Sequence, residues 1–237
     1  LELGGGWLPG LVIRGDQGFA LRSRSWERAD RTWITTTSLD TVYALDEEPA
    51  AVAAPPGSLL AEVAARGAAT RWEAHRRAKY ALEALPRVHL VQSTVSGLVV
   101  TDGRVAGVAT WEGVPRRGAA VALCVGTFLR ARLHIGAVVE PQGRLSEMAY
   151  DDLHDDLARR GFAFVPLELA APAVAGSLPH VVRTVAVAPA EWSEADMRLR
   201  RLGGLYAAGA CVARPGGPPD AAACVAEGAR LGEALAA

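Results

Sequence analysis

The sequence predicts an α/β fold with a mainly parallel sheet and a β-hairpin insert. Three observations carry that expectation. Short β-prone runs alternate with helical patterns along the chain. Ala119 to Val125 is a continuous apolar run of strand length, the pattern of a strand buried on both faces. Between two further apolar runs lies Thr101-Asp102-Gly103-Arg104, a hairpin turn, because glycine accepts the positive φ that a tight turn needs.

The elements follow in order. Trp33 to Thr37 is a short β-prone run. Asp46 to Gly57, closed by Pro55-Pro56-Gly57, is a loop. Trp72, His75, Ala78, Lys79 and Leu82 recur at i, i+3, i+4 spacing, so Arg71 to Leu85 is a helix that Pro86 stops. Val88 to Val95 and Leu98 to Val100 are expected strands, and Val105 to Trp111 pairs back across the turn. Val114 to Arg117 is a turn or short strand. Arg144 to Arg160 is a helical region with Leu153 and Leu157 on one face and Gly161 beyond its end. Phe162 to Val165 and Val181 to Val187 are strands, separated by an irregular Ala- and Pro-rich stretch. Leu205 to Ala208 is a short apolar strand ending at Gly209, and Asp220 caps a final helix.

Composition narrows the function classes. Half of the 237 residues are apolar, enough to fill the core of a single domain over residues 1–237. The net charge of −1 disfavours a whole-surface nucleic-acid binder and leaves room for a local basic patch; DNA is not an expected partner. Three isolated cysteines make neither a disulfide framework nor a zinc site, which points to a reducing, cytoplasmic compartment. No His/Cys/Asp set has metal-ligand spacing. No apolar run approaches the ~20 residues that span a bilayer, and no charged-then-apolar signal peptide opens the chain, which starts at Leu1.

Several stretches, taken in order, resemble one family. The strand Leu90 to Val95 precedes the hairpin at Asp102-Gly103-Arg104-Val105-Ala106-Gly107-Val108. Val121 to Val125 runs into Gly126-Thr127-Phe128-Leu129, and Arg132-Leu133-His134-Ile135-Gly136 follows. Ser38-Leu39-Asp40-Thr41 and Gly204-Leu205-Tyr206-Ala207-Ala208-Gly209 add to the match. Together they resemble the flavin-binding domain of the GidA/MnmG family, which modifies the wobble uridine of tRNA, and above all a short GidA-related subfamily made of the flavin domain alone. The resemblance implies a Rossmann-like FAD/NAD(P)-binding domain with a β-hairpin or meander insert. It implies FAD as cofactor, hydride or electron transfer on the flavin as chemistry, and tRNA or a tRNA-modifying protein as partner. Two other readings stay open: a non-catalytic flavin-fold accessory module, and an oxidoreductase acting on a small molecule unrelated to tRNA.

Candidate cofactor-binding residues follow. In open α/β folds the ligand sits beyond the carboxyl ends of parallel strands. Gly126 and Thr127 follow such a strand, the glycine allowing close backbone approach and the threonine offering a hydroxyl to a phosphate. Thr36 or Thr37 ends a strand where a polar residue meets the adenosine ribose; both also fit plain β propensity. The family contacts its nucleotide at the position matching Val95, a residue that fits ordinary core equally well. Gly209, Ala210 and Cys211 end the last strand, with Cys211 also readable as an inert buried thiol. The catalytic acid and base are unknown.

Residues 1–33 break the pattern. They hold Trp7, Trp26 and Trp33, five arginines and only two alanines in a chain otherwise rich in alanine. Gly4-Gly5-Gly6 could imitate the family's glycine-rich turn, but Gly10 falls one residue late for G-x-G-x-x-G spacing. Two explanations compete: a genuinely altered opening, or a stretch read out of frame that joins the true frame near Ile34. Val42 to Gly57 also lacks the Cys-Asn-Pro segment and Gly-Gly stretch of the active enzymes.

Overall fold

The computed structural model of the chain describes residues 56, 61–62, 65, 79–86, 88–89, 91, 93–144, 147–170 and 180–236. The chain divides into two compact units, one of Leu1–Leu90 with Pro172–Pro179, the other of Val91–Ala171 with His180–Ala237. In the first, residues 79–83 are helical and Lys79 pairs with Glu83 one turn on at 3.8 Å. The Val88 N–H bonds the Leu85 carbonyl, closing a turn around Pro86, the residue expected to stop the helix. The rest of that expected helix, the Trp33–Thr37 run and Ser38–Thr41 lie outside the described residues.

The second unit opens with an antiparallel meander of β1 (Val95–Thr101), β2 (Arg104–Thr110) and β3 (Pro115–Arg117). Thr101 faces Arg104 across Asp102 and Gly103, which have φ of 49° and 73°, the tight hairpin turn that Asp-Gly predicts. The expected separate strands at Val88–Val95 and Leu98–Val100 are corrected: one strand starts at Val95. A strand persists only where it has a ladder partner. β2 ends at Thr110 opposite Val95, and just one further bond, Trp111 N–H to the Thr94 carbonyl, continues the pairing.

The helix α1 (Asp151–Arg159) packs on β1. Leu153 and Leu157 on its inner face are 1% and 0% exposed. Asp156 accepts the Leu98 N–H at 2.9 Å, while Arg160 donates to the Leu98 carbonyl at 2.9 Å, so both polar groups of one core strand residue are satisfied by the helix end. The expected start of this helix at Arg144 is also corrected. β7 (Gln142–Arg144) and β8 (Glu147–Met148) form a two-stranded ribbon, and the Tyr150 N–H bonds the Phe128 carbonyl. Those bonds hold the chain extended up to Asp151.

A four-stranded antiparallel sheet has the order β6 (Val138–Glu140), β5 (Arg132–Ile135), β10 (Val181–Val187), β9 (Phe164–Ala170). Residues 166–170, expected to be irregular, complete β9, because each pairs with β10. β4 (Val121–Leu123) and β11 (Leu205–Ala207) form the one parallel pair among the described residues. The fold is mixed α/β, and among the described residues the parallel part of the expected sheet is this one pair of strands, while the sheet around β5 is antiparallel. β5 and β6 are joined by a two-residue turn at Gly136, a link too short for a parallel crossover. The continuous apolar run does hold the parallel strand β4, but its expected burial on both faces is corrected: Leu123 is buried while Ala122 is exposed, and the strand buried throughout is β11, Leu205 to Ala207.

The last helix, α2 (Ala221–Ala236), is capped as its sequence predicts, with Asp220 Oδ1 accepting the Ala223 N–H at 2.8 Å. Leu129, Leu153, Leu157, Val187, Leu205 and Val212 are fully buried and form one core with β11 at its centre. Among the described residues no helix is long and apolar enough to cross a membrane.

Candidate functional site

The parallel pair β4 and β11 sets two chain exits side by side. Ala207 lies opposite Leu123, and the Ala208 N–H bonds the Leu123 carbonyl at 3.1 Å. β4 then leads into the turn Val125-Gly126-Thr127-Phe128, with Gly126 at φ 57° and Phe128 N–H reaching back to the Val125 carbonyl. β11 leads into a 3₁₀ turn, Gly209–Cys211, with Gly209 at φ 79°. Both glycines hold a left-handed conformation that side chains resist, so neither turn carries a Cβ there, at the carboxyl end of a parallel pair. The first turn of α2 lies alongside: a Cβ on Gly209 would come within 3.9 Å of Cys224 Sγ.

A buried ion pair fixes the second turn. Glu227 accepts the Gly209 N–H at 2.7 Å and an Arg214 Nη2–H at 2.7 Å through the same oxygen. Arg214 Nη1 donates to the Gly209 and Val212 carbonyls, each at 2.9 Å. The guanidinium stacks on Trp192 at 4.7 Å, and Trp192 Nε1 donates to the Ala207 carbonyl at 3.0 Å. The side chains of Arg214 and Glu227 are 16% and 7% exposed, so their partners are protein groups rather than water. Arg214 Nε is buried without a hydrogen-bond partner. The Gly209 turn therefore has its backbone N–H and carbonyl held by protein side chains.

Cys211 points inward. Its Sγ lies 3.2 Å from the Leu123 carbonyl and 3.3 Å from that of Ala208. Burial pushes the thiol up to about 12, so it stays protonated and unreactive. It ties the two strand exits together, in keeping with the inert reading.

The structure thus places Gly126 and Thr127, and Gly209, Ala210 and Cys211, on two neighbouring exits. Val95 is elsewhere, half-buried at the start of β1 opposite Thr110 and packed on the core. Thr36 and Thr37 lie outside the described residues, as does His75. His134 pairs within the antiparallel sheet between Val181 and Val139. Arg214 and Glu227 were missed in the sequence. The available signal was Glu227 four residues before Leu231, a charge on the apolar face of the helix.

Known proteins resemble this chain. Residues 60–178 match the family described as Glucose inhibited division protein A. The crystal structure of the GidA-related protein from Thermus thermophilus is 47% identical, superposes with a TM-score of 0.71, and is matched over 84% of each chain. The chain belongs to the GidA family. Aquifex aeolicus GidA shares the fold, with a TM-score of 0.61 over 70% of this chain and 48% of that one at 14% identity. The tRNA uridine 5-carboxymethylaminomethyl modification enzyme MnmG of Geobacter metallireducens is 41% identical over 97 residues, which are 41% of this chain and 16% of that protein. The GidA-type chain described here therefore matches about a sixth of that enzyme's length. The GidA/MnmG family is FAD-dependent.

Proposed function

We propose that this chain is an FAD-binding protein with a Rossmann-like cofactor domain, and that it works as a flavin-dependent oxidoreductase in tRNA wobble-uridine modification. The observation that carries the reading is the pair of glycine turns, at Gly126 and Gly209, on the carboxyl ends of adjacent parallel strands. The residues fit such a cofactor. Gly126 and Gly209 leave both exits without a Cβ at the turn, Thr127 adds a hydroxyl, and the first turn of α2 runs beside Gly209. FAD would supply the hydride or electron transfer. The protein's own part is to hold the Gly209 turn through Glu227 and Arg214 and to cover one side of the site with Phe128, whose ring packs on Tyr150 at 5.7 Å.

The visible absorption spectrum of the purified protein tests this. A flavin band that is lost in Gly209→Val is expected. No band, even after reconstitution with FAD, would overturn the reading. A second reading, a non-catalytic accessory module of the same fold, is favoured by one observation: the Cys211 thiol in the Gly209 turn is buried and held protonated. A bound flavin that no reductant in a tRNA-modification assay can turn over would select it.

A further inference from the structure

The amino end of the parallel pair carries a second concave surface. Leu202, Gly203 and Gly204 lead into β11, with the Gly203 carbonyl accepting the Val105 N–H at 2.9 Å and the Gly204 carbonyl accepting the Val121 N–H at 2.9 Å. Arg104, the first residue of β2, lies across these glycines. A Cβ on Gly203 would stand 2.8 Å from Arg104 Cγ and Nη1, and one on Gly204 would stand 2.9 Å from the Ala119 carbonyl oxygen. Only glycine leaves the arginine its place. Arg104 walls a cleft of about 320 Å³ that Arg198, Arg200, Asp196, Ser193 and Tyr206 also line. On its other side it lines a hollow of about 580 Å³, shared with Arg117.

The charges in the cleft do not balance. Arg198 stacks on Tyr206 at 5.7 Å and stands 3.5 Å from Asp196. Arg200 donates to the Trp192 carbonyl at 3.2 Å. Among the described residues, neither Arg104 nor Arg200 has a carboxylate partner. Asp196, whose carboxyl a hydrogen bond from Ser193 holds below the usual carboxylate range, is the one acid lining the cleft. Three arginines against one carboxylate leave two positive charges on the lining of a concave, solvent-reached surface. That is the donor set that phosphate oxygens match in charge and geometry.

We propose that this cleft is a binding site for a phosphate group, held by Arg104, Arg198 and Arg200 at the opposite end of β11 from the glycine turns. The ligand is a phosphate-bearing anion, either a free phosphate compound or the phosphodiester backbone of a polynucleotide. The site stands apart from the cofactor reading, because none of its residues belongs to the Gly126 or Gly209 turns.

Two probes distinguish the sources: inorganic pyrophosphate followed by calorimetry, and a short labelled oligoribonucleotide followed by anisotropy, each at low and at raised salt. The proteins are the wild type, Arg104→Gln, Arg198→Gln, and Arg183→Gln as a control, since Arg183 pairs with Glu168 on the other sheet. Arg104→Gln and Arg198→Gln are expected to weaken binding about tenfold or more, with Arg183→Gln, flavin content and thermal midpoint unchanged. Arginine-dependent binding of the oligonucleotide alone assigns the phosphate to a polynucleotide and sustains the site. Binding by neither probe, or binding that ignores Arg104 and Arg198, overturns it. Pyrophosphate held at the glycine turns instead would belong to that second outcome. Should Arg198→Gln fail to fold, Arg104→Gln decides, because that side chain has no ionic partner to lose among the described residues.

Discussion

The two ends of β11 treat arginine in opposite ways. At the carboxyl end, Arg214 is enclosed, and Glu227, two carbonyls and a tryptophan face take up its charge. At the amino end, Arg104, Arg198 and Arg200 stand in the open with one carboxylate among them. The contrast shows what each charge is for. A buried guanidinium must be matched by protein, so it can only shape the turn beside it. An exposed and unmatched one costs the fold little and stays available to an outside partner.

The largest effect should come from breaking the enclosed end. Glu227→Ala leaves Arg214 charged, buried and unpaired, and should lower stability by about 3–5 kcal/mol. Replacing both residues with apolar ones (Arg214→Met with Glu227→Leu) should cost less than Glu227→Ala alone, a difference that urea denaturation of the single and double variants would reveal. Gly209→Val comes next. Its left-handed φ of 79° is strained for a side chain, and about 1–2 kcal/mol of stability should go with it. A fall in thermal midpoint of the size of a surface mutation would show that the turn adapts.

The pH response sharpens the comparison at the loop between the two ends. Arg201 binds Glu191 through two hydrogen bonds of 2.6 Å and holds that carboxyl below the usual range. The folded value lies below the unfolded one, about 4.3. The pair's contribution is therefore complete above the unfolded value and is lost as pH falls through the folded value. Urea midpoints measured from neutral to acid pH should drop below about pH 4, and Glu191→Gln should flatten that drop. Smallest of all, Arg104→Gln should change stability by less than about 0.5 kcal/mol, as expected of an exposed side chain with no ionic partner among the described residues. A larger loss in calorimetry would mean that the open end is structural after all.

Much of the local architecture was legible in the sequence. Asp102-Gly103 marked its hairpin, Val181–Val187 its strand, Asp220 its cap, and the unbroken apolar run its parallel strand. What could not be read was pairing at a distance. Nothing near Val88 shows that β2 has no residues left to pair with it, and nothing near Arg144 shows that Phe128 will hold Tyr150 extended. The candidate site divides along the same line. Gly126 and Gly209 announce themselves as strand exits. Arg214 and Glu227 find each other only once α2 has folded against the 3₁₀ turn.

That separation along the chain sets an order of events. The β1–β2 hairpin closes over a two-residue turn, so it needs almost no loop ordering. The bond from Cys211 to Leu123 joins positions 88 residues apart, and Glu227 lies further still toward the C-terminus. Closing so long a loop has an entropic cost that local pairing does not meet. A nascent chain would therefore carry its hairpin long before the two strand exits could meet, and none of the chain released before residue 227 could contain the clamped turn. On that entropic ground the β1–β2 hairpin is expected to form before the candidate site, an order that pulse-labelled hydrogen exchange would check.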